Sequence, residues 1–118
     1  MRDFPKRGEI YMVNFDRTVG SEIKKTRPAV IIQNDIANRH SPVTIVAAIT
    51  SRKGERLYPT ETPISSRASG LSKDSVVLLN QIRTVDKNRL AGKIGHVPTE
   101  ALRAINRALA ISIGLLNV

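Results

Sequence analysis

Two apolar runs of strand length, separated by a turn, constrain the fold of this 118-residue chain more than any other feature. The first run spans Pro28 to Gln33 and the second spans Thr44 to Ile49, and the stretch between them is rich in turn-forming residues. Because both runs are almost continuously apolar, we predict two central strands with both faces covered. An antiparallel hairpin made from them brings the start of the first strand beside the end of the second.

The register of this hairpin decides which polar side chains meet at its open end. If Gln33 faces Thr44, the same register places Arg27 opposite Thr50, with their Cβ atoms roughly 5 Å apart. A slip of one residue would turn one of the two side chains to the other face of the sheet. The hypothesis is therefore that a guanidinium and a hydroxyl group share one edge of the hairpin.

The rest of the chain predicts further strands. Alternation of Tyr11, Val13 and Phe15 is typical of a strand with one buried face. Pro59 and Pro63 cannot donate ladder hydrogen bonds, so the strand that contains them is expected at a sheet edge. The predicted segments, in chain order, are a strand over Glu9 to Phe15, a mobile loop over Asp16 to Thr26, the edge strand over Tyr58 to Ile64, a strand over Ser75 to Val85 and a short strand over Lys93 to Val97.

The C-terminal segment changes from strand to helix periodicity. Its apolar residues recur every three or four positions, which predicts an amphipathic helix that begins near Pro98 and Thr99. These residues are Leu102, Ile105, Leu109, Ile113 and Leu116. Together the elements predict one mainly β domain over residues 1–118, in which a C-terminal helix closes a small, partly open β-barrel.

The composition restricts the chemistry that is available. The absence of cysteine excludes a disulfide scaffold, a thiolate metal site and a cysteine nucleophile. No run of about 18 uncharged apolar residues occurs, and the N-terminus lacks a long apolar stretch, so we predict a cytoplasmic protein with no membrane partner. The seven glycines are scattered and the two histidines are far apart, so we predict no nucleotide cofactor and no metal. A Ser-His-Asp triad is not excluded by spacing, but nothing in the sequence requires one.

The net charge of +9 and the isoelectric point near 10.7 favour a polyanionic partner such as RNA, DNA or an acidic protein. The alternative is a soluble domain that is merely basic. The positions of the charges argue against that alternative, because two basic loops flank the open end of the predicted hairpin. One loop carries Lys24, Lys25 and Arg27, and the other carries Arg52, Lys53 and Arg56. We predict that Lys25 contacts substrate.

Cationic and hydroxyl side chains suit the cleavage of RNA, whose own 2′-hydroxyl can attack the adjacent phosphorus. Such an enzyme must help to remove the hydroxyl proton, supply a proton to the 5′-oxygen and stabilise the crowded phosphorane. The planar fork of Arg27 suits phosphate oxygens, and Thr50 adds a hydroxyl donor. The alternative for each is structural, an exposed residue at the start of one strand and an ordinary hydroxyl at the end of another.

Several segments make the chain resemble the MazF/PemK/Kid toxins, which are sequence-specific endoribonucleases of bacterial toxin-antitoxin systems. The matching segments are RGEIY at Arg7 to Tyr11, GSEIKKTRPAVIIQND at Gly20 to Asp35, AAITS at Ala47 to Ser51 and DSVVLLNQIRTVDKNRL at Asp74 to Leu90. The resemblance implies an SH3-like or CcdB-like barrel, a homodimer and an antitoxin partner, which we expect to be acidic and partly disordered. It also implies cleavage of single-stranded RNA to a 2′,3′-cyclic phosphate and a 5′-hydroxyl.

The resemblance also assigns residues. It matches Arg27 and Thr50 to the catalytic arginine and threonine of the family, the pair that the hairpin register had already brought together. Ser21 and Glu22 match the mobile active-site loop of the family. Positions near bound RNA, where amide groups can read base edges, match Gln33, Asn34, Asn80 and Gln81. For these four amides, hydrogen bonding within turns or ladders remains an equal alternative.

Two departures from the family and two rival functions remain. Met12 stands where many relatives have tryptophan, and Arg17 stands where they have proline. Because free arginine stays protonated at ordinary pH, we assign Arg27 to charge stabilisation rather than to acid-base chemistry.

The rivals are a non-enzymatic toxin that poisons DNA gyrase on the same fold, and an RNA-binding module without nuclease activity. The second rival is short of aromatic residues for stacking bases.

Overall fold

The two hairpin strands lie in the middle of a six-stranded antiparallel sheet, as predicted. The computed structural model describes residues 3–16, 20, 25–51 and 56–118. Its strands are β1 (Glu9–Asn14), β2 (Thr26–Ile31), β3 (Val43–Ser51), β4 (Glu61–Ile64), β5 (Ser75–Asp86) and β6 (Leu90–His96). Its helices are α1 (Asp35–His40), α2 (Ser66–Ser69) and α3 (Thr99–Ser112), and a 3-10 turn spans Lys87–Arg89.

The sheet is not closed into a full barrel. Its strand order is β4-β5-β3-β2-β1-β6, so β4 and β6 form the two edges of the described sheet. The edge position of β4 agrees with the argument from Pro63, whose nitrogen cannot donate to a neighbouring strand, but the strand begins at Glu61 rather than at Tyr58, so Pro59 precedes it. The prediction of a mainly β fold with a partly open barrel and a C-terminal helix is confirmed.

The register of the central hairpin is the predicted one. In the ladder between β2 and β3, Ala29 pairs with Ala48, Val30 with Ala47 and Ile31 with Val46. Extension of the same register by two residues places Arg27 opposite Thr50. A slip of one residue would instead have left Arg27 and Thr50 on opposite faces of the sheet.

Two apolar clusters cover the two faces of the hairpin. Val30 and Ala47 belong to the cluster that α3 covers with Ile105 and Ala108, and Ile31 belongs to the cluster on the other face. This double burial explains why β2 and β3 are almost continuously apolar. Each fully buried aliphatic side chain contributes about 1.5–3 kcal/mol through the hydrophobic effect.

The structure corrects three further element predictions. The stretch from Asn34 to Val43 is not only a turn, because it contains α1, and the Asn34 side chain caps that helix by accepting from the backbone N–H of Ala37 at 2.9 Å. Strand β6 begins at Leu90 rather than at Lys93, directly after the 3-10 turn. Helix α3 ends at Ser112, so the last positions of the predicted apolar stripe lie beyond it.

A bulge of three residues in β5 interrupts its pairing with β3. Ala47 pairs with Ile82 whereas Ala48 pairs with Leu78, so residues 79–81 of β5 have no partner in β3. The backbone of Leu79 is nevertheless satisfied, since its N–H donates to the carbonyl of Thr60 at 2.9 Å and its carbonyl accepts from Ser112 Oγ at 2.6 Å. A bulge bends its strand and redirects side chains, and this one contains Asn80 and Gln81.

Helix α2 follows the edge strand β4 and packs against the other edge strand, β6. A Cβ atom on Gly95 would lie 2.2 Å from the backbone oxygen of Ser69, the last residue of α2. A Cβ atom on Gly70 would lie 2.8 Å from the backbone oxygen of Ile94, and Gly70 has a φ of +86°. Only glycine permits this close approach without a shift of the backbone.

We expect Gly95→Ala to lower the free energy of unfolding by about 2 kcal/mol, because the contact to Ser69 is with backbone that cannot rotate away. Gly92→Ala is the matched control, since the added Cβ would have no neighbour within 4 Å. Urea denaturation of both variants measures the difference. Equal stability of the two variants would contradict the close packing of α2 on β6.

Candidate functional site

An open pocket of about 230 Å³ lies at the end of the central hairpin. Strand β2 contributes Arg27 and Pro28 to its lining, and β3 contributes Ile49, Thr50 and Ser51. The arginine and the threonine are half-buried, so their side chains are held by neighbours and still reach solvent. The structure thus brings Arg27 and Thr50 to one pocket, as the hairpin register predicted.

A second wall of the pocket comes from the loop between α2 and β5 and from the first residue of β5. This wall consists of Leu71, Ser72, Lys73 and Ser75. The loop reaches the hairpin because β5 pairs antiparallel with β3, with Thr50 opposite Val76 and Ser51 opposite Ser75. The first residues of β5 therefore lie beside the last residues of β3.

Internal hydrogen bonds fix this loop at both ends. The carboxylate of Asp74 accepts from the backbone N–H of Ser66 at 2.9 Å, and Ser75 Oγ donates to the carbonyl of Lys73 at 2.8 Å. The hydrogen bonds from Ser66 lower the pKa of the Asp74 carboxyl group, so Asp74 holds the loop as an anion. Ser69 Oγ accepts from the backbone N–H of Leu71 at 3.3 Å. The loop wall is therefore built in advance of any ligand.

The pocket has the chemical character of an anion site. Among the residues that the structure describes, its lining carries two cations and four hydroxyl groups, and no carboxylate. The cations are Arg27 and Lys73, and the hydroxyl groups belong to Thr50, Ser51, Ser72 and Ser75. Guanidinium, ammonium and hydroxyl groups all donate hydrogen bonds to phosphate oxygens, and charged donors make the stronger bonds. Pro28, Ile49 and Leu71 add apolar surface to the same pocket.

The predicted loop residues are only partly described. Ser21 and Glu22 lie outside the residues that the structure describes. Lys25 is exposed and does not line the pocket, and its backbone has a positive φ of 68°. A non-glycine residue in this region carries strain of about 1 kcal/mol or more. The backbone N–H of Phe15 donates to the carbonyl of Lys25 at 3.0 Å, so this strained turn joins β1 to β2 two residues before Arg27.

Gln33 and Asn34 lie beyond the opposite end of β2, roughly 20 Å along the extended chain from Arg27. The Gln33 amide nitrogen donates to Asn38 Oδ1 and to the carbonyl of Val43, both at 3.0 Å. Asn34 caps α1 through its side-chain oxygen. Both side chains hold the turn around the buried Asn38, and base recognition by either one stays a prediction.

Asn80 and Gln81 occupy the bulge of β5, roughly 16 Å along that strand from Ser75. Asn80 is exposed and Gln81 is half-buried, and neither lines the pocket. A bulge is a common place for a functional side chain, because residues in a bulge need not follow the alternation of the strand. Recognition of bases by these two amides also stays a prediction.

The sequence prediction missed Lys73 and the hydroxyl groups beside it. A lysine in a polar stretch ahead of a strand carries no distinguishing pattern of its own. The available signal was topological, because antiparallel pairing of β5 with β3 brings the residues before Ser75 next to Thr50. That pairing could have been guessed from the two apolar runs, but their register could not, since the bulge shifts it.

No cluster of three or more His, Cys, Asp or Glu side chains that could hold a metal ion occurs within residues 3–16, 20, 25–51 and 56–118. Over the same described part of the chain, no helix combines the length and the apolar character needed to cross a bilayer.

The open antiparallel sheet and its pocket define a small β domain with a candidate phosphate-binding site, and comparison with known proteins identifies its family. Residues 6–113 match the family described as PemK-like, MazF-like toxin of type II toxin-antitoxin system. The chain is 46% identical over 112 residues to endoribonuclease EndoA of Bacillus subtilis (strain 168), covering 95% of this chain and 97% of that protein. It is also 46% identical over 110 residues to endoribonuclease MazF of Staphylococcus saprophyticus, covering 93% of this chain and 92% of that protein.

A solved structure supports the same conclusion. An endoribonuclease in complex with its cognate antitoxin from Mycobacterial species superimposes with a TM-score of 0.79 at 26% identity, covering 95% of this chain and 97% of that one. The chain therefore belongs to the PemK/MazF family of toxins from type II toxin-antitoxin systems. This confirms the family that the sequence motifs indicated.

Proposed function

We propose that this protein is a sequence-specific, ribosome-independent endoribonuclease that cleaves single-stranded mRNA and acts as the growth-arresting toxin of a toxin-antitoxin pair. The observation that carries the proposal is the meeting of Arg27 and Thr50 in a pocket that is lined by cations and hydroxyl groups. The names of its relatives, endoribonuclease EndoA and endoribonuclease MazF, support the same activity.

The proposed reaction uses the substrate's own nucleophile. The ribose 2′-oxygen attacks the adjacent phosphorus and loses its proton, the bond from phosphorus to the 5′-oxygen breaks, and the 5′-oxygen gains a proton. The products are a 2′,3′-cyclic phosphate and a 5′-hydroxyl. Arg27 stabilises the negative charge that accumulates on the phosphorane, and Thr50 donates a hydrogen bond to the same group. The proposed reaction uses no metal and no cofactor.

The substrate surface extends beyond the pocket. Lys25, Ser21 and Glu22 belong to the loop that precedes Arg27, and we propose that they contact the RNA backbone and bases on that side. Asn80 and Gln81 are the proposed base readers of the β5 bulge, because one is exposed and both are released from the β3 ladder. Gln33 and Asn34 are weaker members of this set, since their amides are engaged in the α1 turn.

The proposed partners follow from charge and from exposed apolar surface. An acidic, partly disordered antitoxin would lie across the basic pocket and compete with RNA.

A homodimer would cover the apolar residues after α3, since Leu115 is 76% exposed and Val118 is 86% exposed. The proposed compartment is the cytoplasm, where mRNA is found. Sedimentation of the purified protein measures the oligomeric state.

The direct test is incubation of the purified protein with a long, defined RNA, followed by primer extension to map the cut ends. We expect discrete cuts at one short sequence, with or without a metal chelator in the reaction. Intact RNA would overturn the nuclease proposal and leave the gyrase poison and the plain RNA-binding module. A DNA gyrase assay and an RNA-binding assay then separate those two.

The salt dependence of binding tests the electrostatic part of the proposal. If the protein contacts about five phosphates of the RNA, the logarithm of the binding constant falls with the logarithm of the salt concentration by a slope near −0.7 per contact. This predicts roughly hundredfold weaker binding at about 200 mM salt than at about 50 mM salt. The measurement is the dissociation constant of an uncleavable single-stranded oligonucleotide over that range. A flat response would show that the cations of the pocket and the adjacent loop do not contact the phosphates.

A further inference from the structure

We propose that Lys73 is the second cation of the active pocket and contacts the same phosphate as Arg27, from the loop wall. This inference rests on the proposed function and adds a catalytic residue to it. The observation behind it is that one pocket of about 230 Å³ is lined by both cations, Arg27 from β2 and Lys73 from the loop before β5.

The backbone of Lys73 is held in place while its side chain is exposed. Its carbonyl accepts from Ser75 Oγ at 2.8 Å, and the next residue, Asp74, is tied to Ser66 at 2.9 Å. Within the described part of the chain, the Lys73 ammonium forms no ion pair with a carboxylate. The nearest acidic residue in sequence, Asp74, already uses its carboxylate to hold the loop. A held backbone and an unengaged ammonium group present a positive charge with little further ordering cost.

The identity of the ligand follows from the lining. A nucleobase alone would not require two cations in one small pocket, whereas a phosphodiester offers two unesterified oxygens that share one negative charge. During attack by the 2′-oxygen, that charge grows, so a second cation stabilises the transition state more than the ground state. Lysine suits this role as a compact point charge, while Arg27 supplies the planar fork.

The test compares Lys73→Met with Lys73→Arg, and uses Lys6→Met as a matched loss of one lysine charge at an exposed site outside the pocket. Two quantities are measured for each variant. The first is the single-turnover cleavage rate at saturating RNA, and the second is the dissociation constant for an oligonucleotide that carries hydrogen in place of every 2′-hydroxyl. Circular dichroism checks that each variant is folded.

We expect Lys73→Met to lower the saturating cleavage rate by about 10- to 100-fold, the size expected for loss of one charge-assisted hydrogen bond. The dissociation constant should rise by a smaller factor, and its salt slope should fall by about 0.7, which corresponds to one phosphate contact. Lys73→Arg should recover most of the rate, because it restores the charge. Lys6→Met should behave as the unmodified protein does.

An unchanged saturating rate in Lys73→Met would overturn the proposal, even if RNA binding were weaker, because a contact to a neighbouring phosphate would affect binding alone. The two proposals fail separately. If the unmodified protein cuts RNA and Lys73→Met cuts equally well, the nuclease function stands and the role of Lys73 does not. If the unmodified protein leaves RNA intact, the nuclease proposal falls, and with it the catalytic role of Lys73.

Discussion

Arg27→Ala and Thr50→Ala should each abolish RNA cleavage while the protein remains folded. Loss of one preorganised donor to a developing charge costs about 10²–10³ in rate, and Arg27 supplies both a charge and a planar fork. Both residues are half-buried at strand ends, so truncation removes little core contact. The measurement is the cleavage rate of a defined RNA under single-turnover conditions, with thermal unfolding as the check on folding.

Matched controls separate the pair from general effects of charge and hydroxyl loss. Arg103→Ala removes an exposed arginine of α3, and Thr84→Ala removes an exposed threonine of β5, and neither residue lines the pocket. We expect both controls to cleave at the normal rate. Thr50→Ser should retain activity because it keeps the hydroxyl, whereas Arg27→Lys should retain part of it because it keeps only the charge. Full activity in Arg27→Ala or in Thr50→Ala would remove that residue from the active site.

A single 2′-deoxy sugar at the cleaved position should block cutting entirely and leave binding nearly unchanged. The 2′-oxygen is the proposed nucleophile, so its replacement by hydrogen removes the reaction rather than slowing it. The pocket contacts that hold the phosphate do not depend on this oxygen. Gel analysis of the end-labelled oligonucleotide measures cleavage, and fluorescence anisotropy measures binding.

The control for this experiment is the same oligonucleotide with the deoxy sugar moved by one position away from the cut. That substrate retains the attacking hydroxyl and should be cleaved. Cleavage of the oligonucleotide that lacks the scissile 2′-hydroxyl would show that a water molecule or a protein group attacks the phosphorus. The roles proposed for Arg27 and Thr50 would then have to be assigned again.

Local patterns in the sequence predicted several elements that the structure contains. The runs Pro28–Gln33 and Thr44–Ile49 predicted two central strands, and the hypothesis that Gln33 faces Thr44 agrees with the register of the observed ladder. Pro63 of the fourth strand predicted an edge, and the three-to-four spacing after Thr99 predicted α3. All of these signals depend on neighbours in sequence or on the alternation of one strand.

Other features escaped the prediction because their causes are distant in the chain. The bulge at residues 79–81 is stabilised by contacts from Thr60 and Ser112, which no local pattern around Asn80 reveals. The engagement of Gln33 with Asn38 and Val43 requires the turn containing α1, which the sequence indicated only as a turn. A residue type alone therefore could not distinguish a base-reading amide from a structural one.

The sequence by itself determined the two central strands, because their apolar runs suit burial on both faces, and the hypothesised register that set Arg27 beside Thr50 agrees with the observed pairing. The tertiary structure alone decided that a third segment, the loop before β5, adds to the lining of the pocket. Lys73 reaches it through the pairing of β5 with β3 and through the hydrogen bonds that hold the loop after α2. Long-range pairing depends on which surfaces can be covered together, and that information is distributed over the whole chain rather than stored near any one residue.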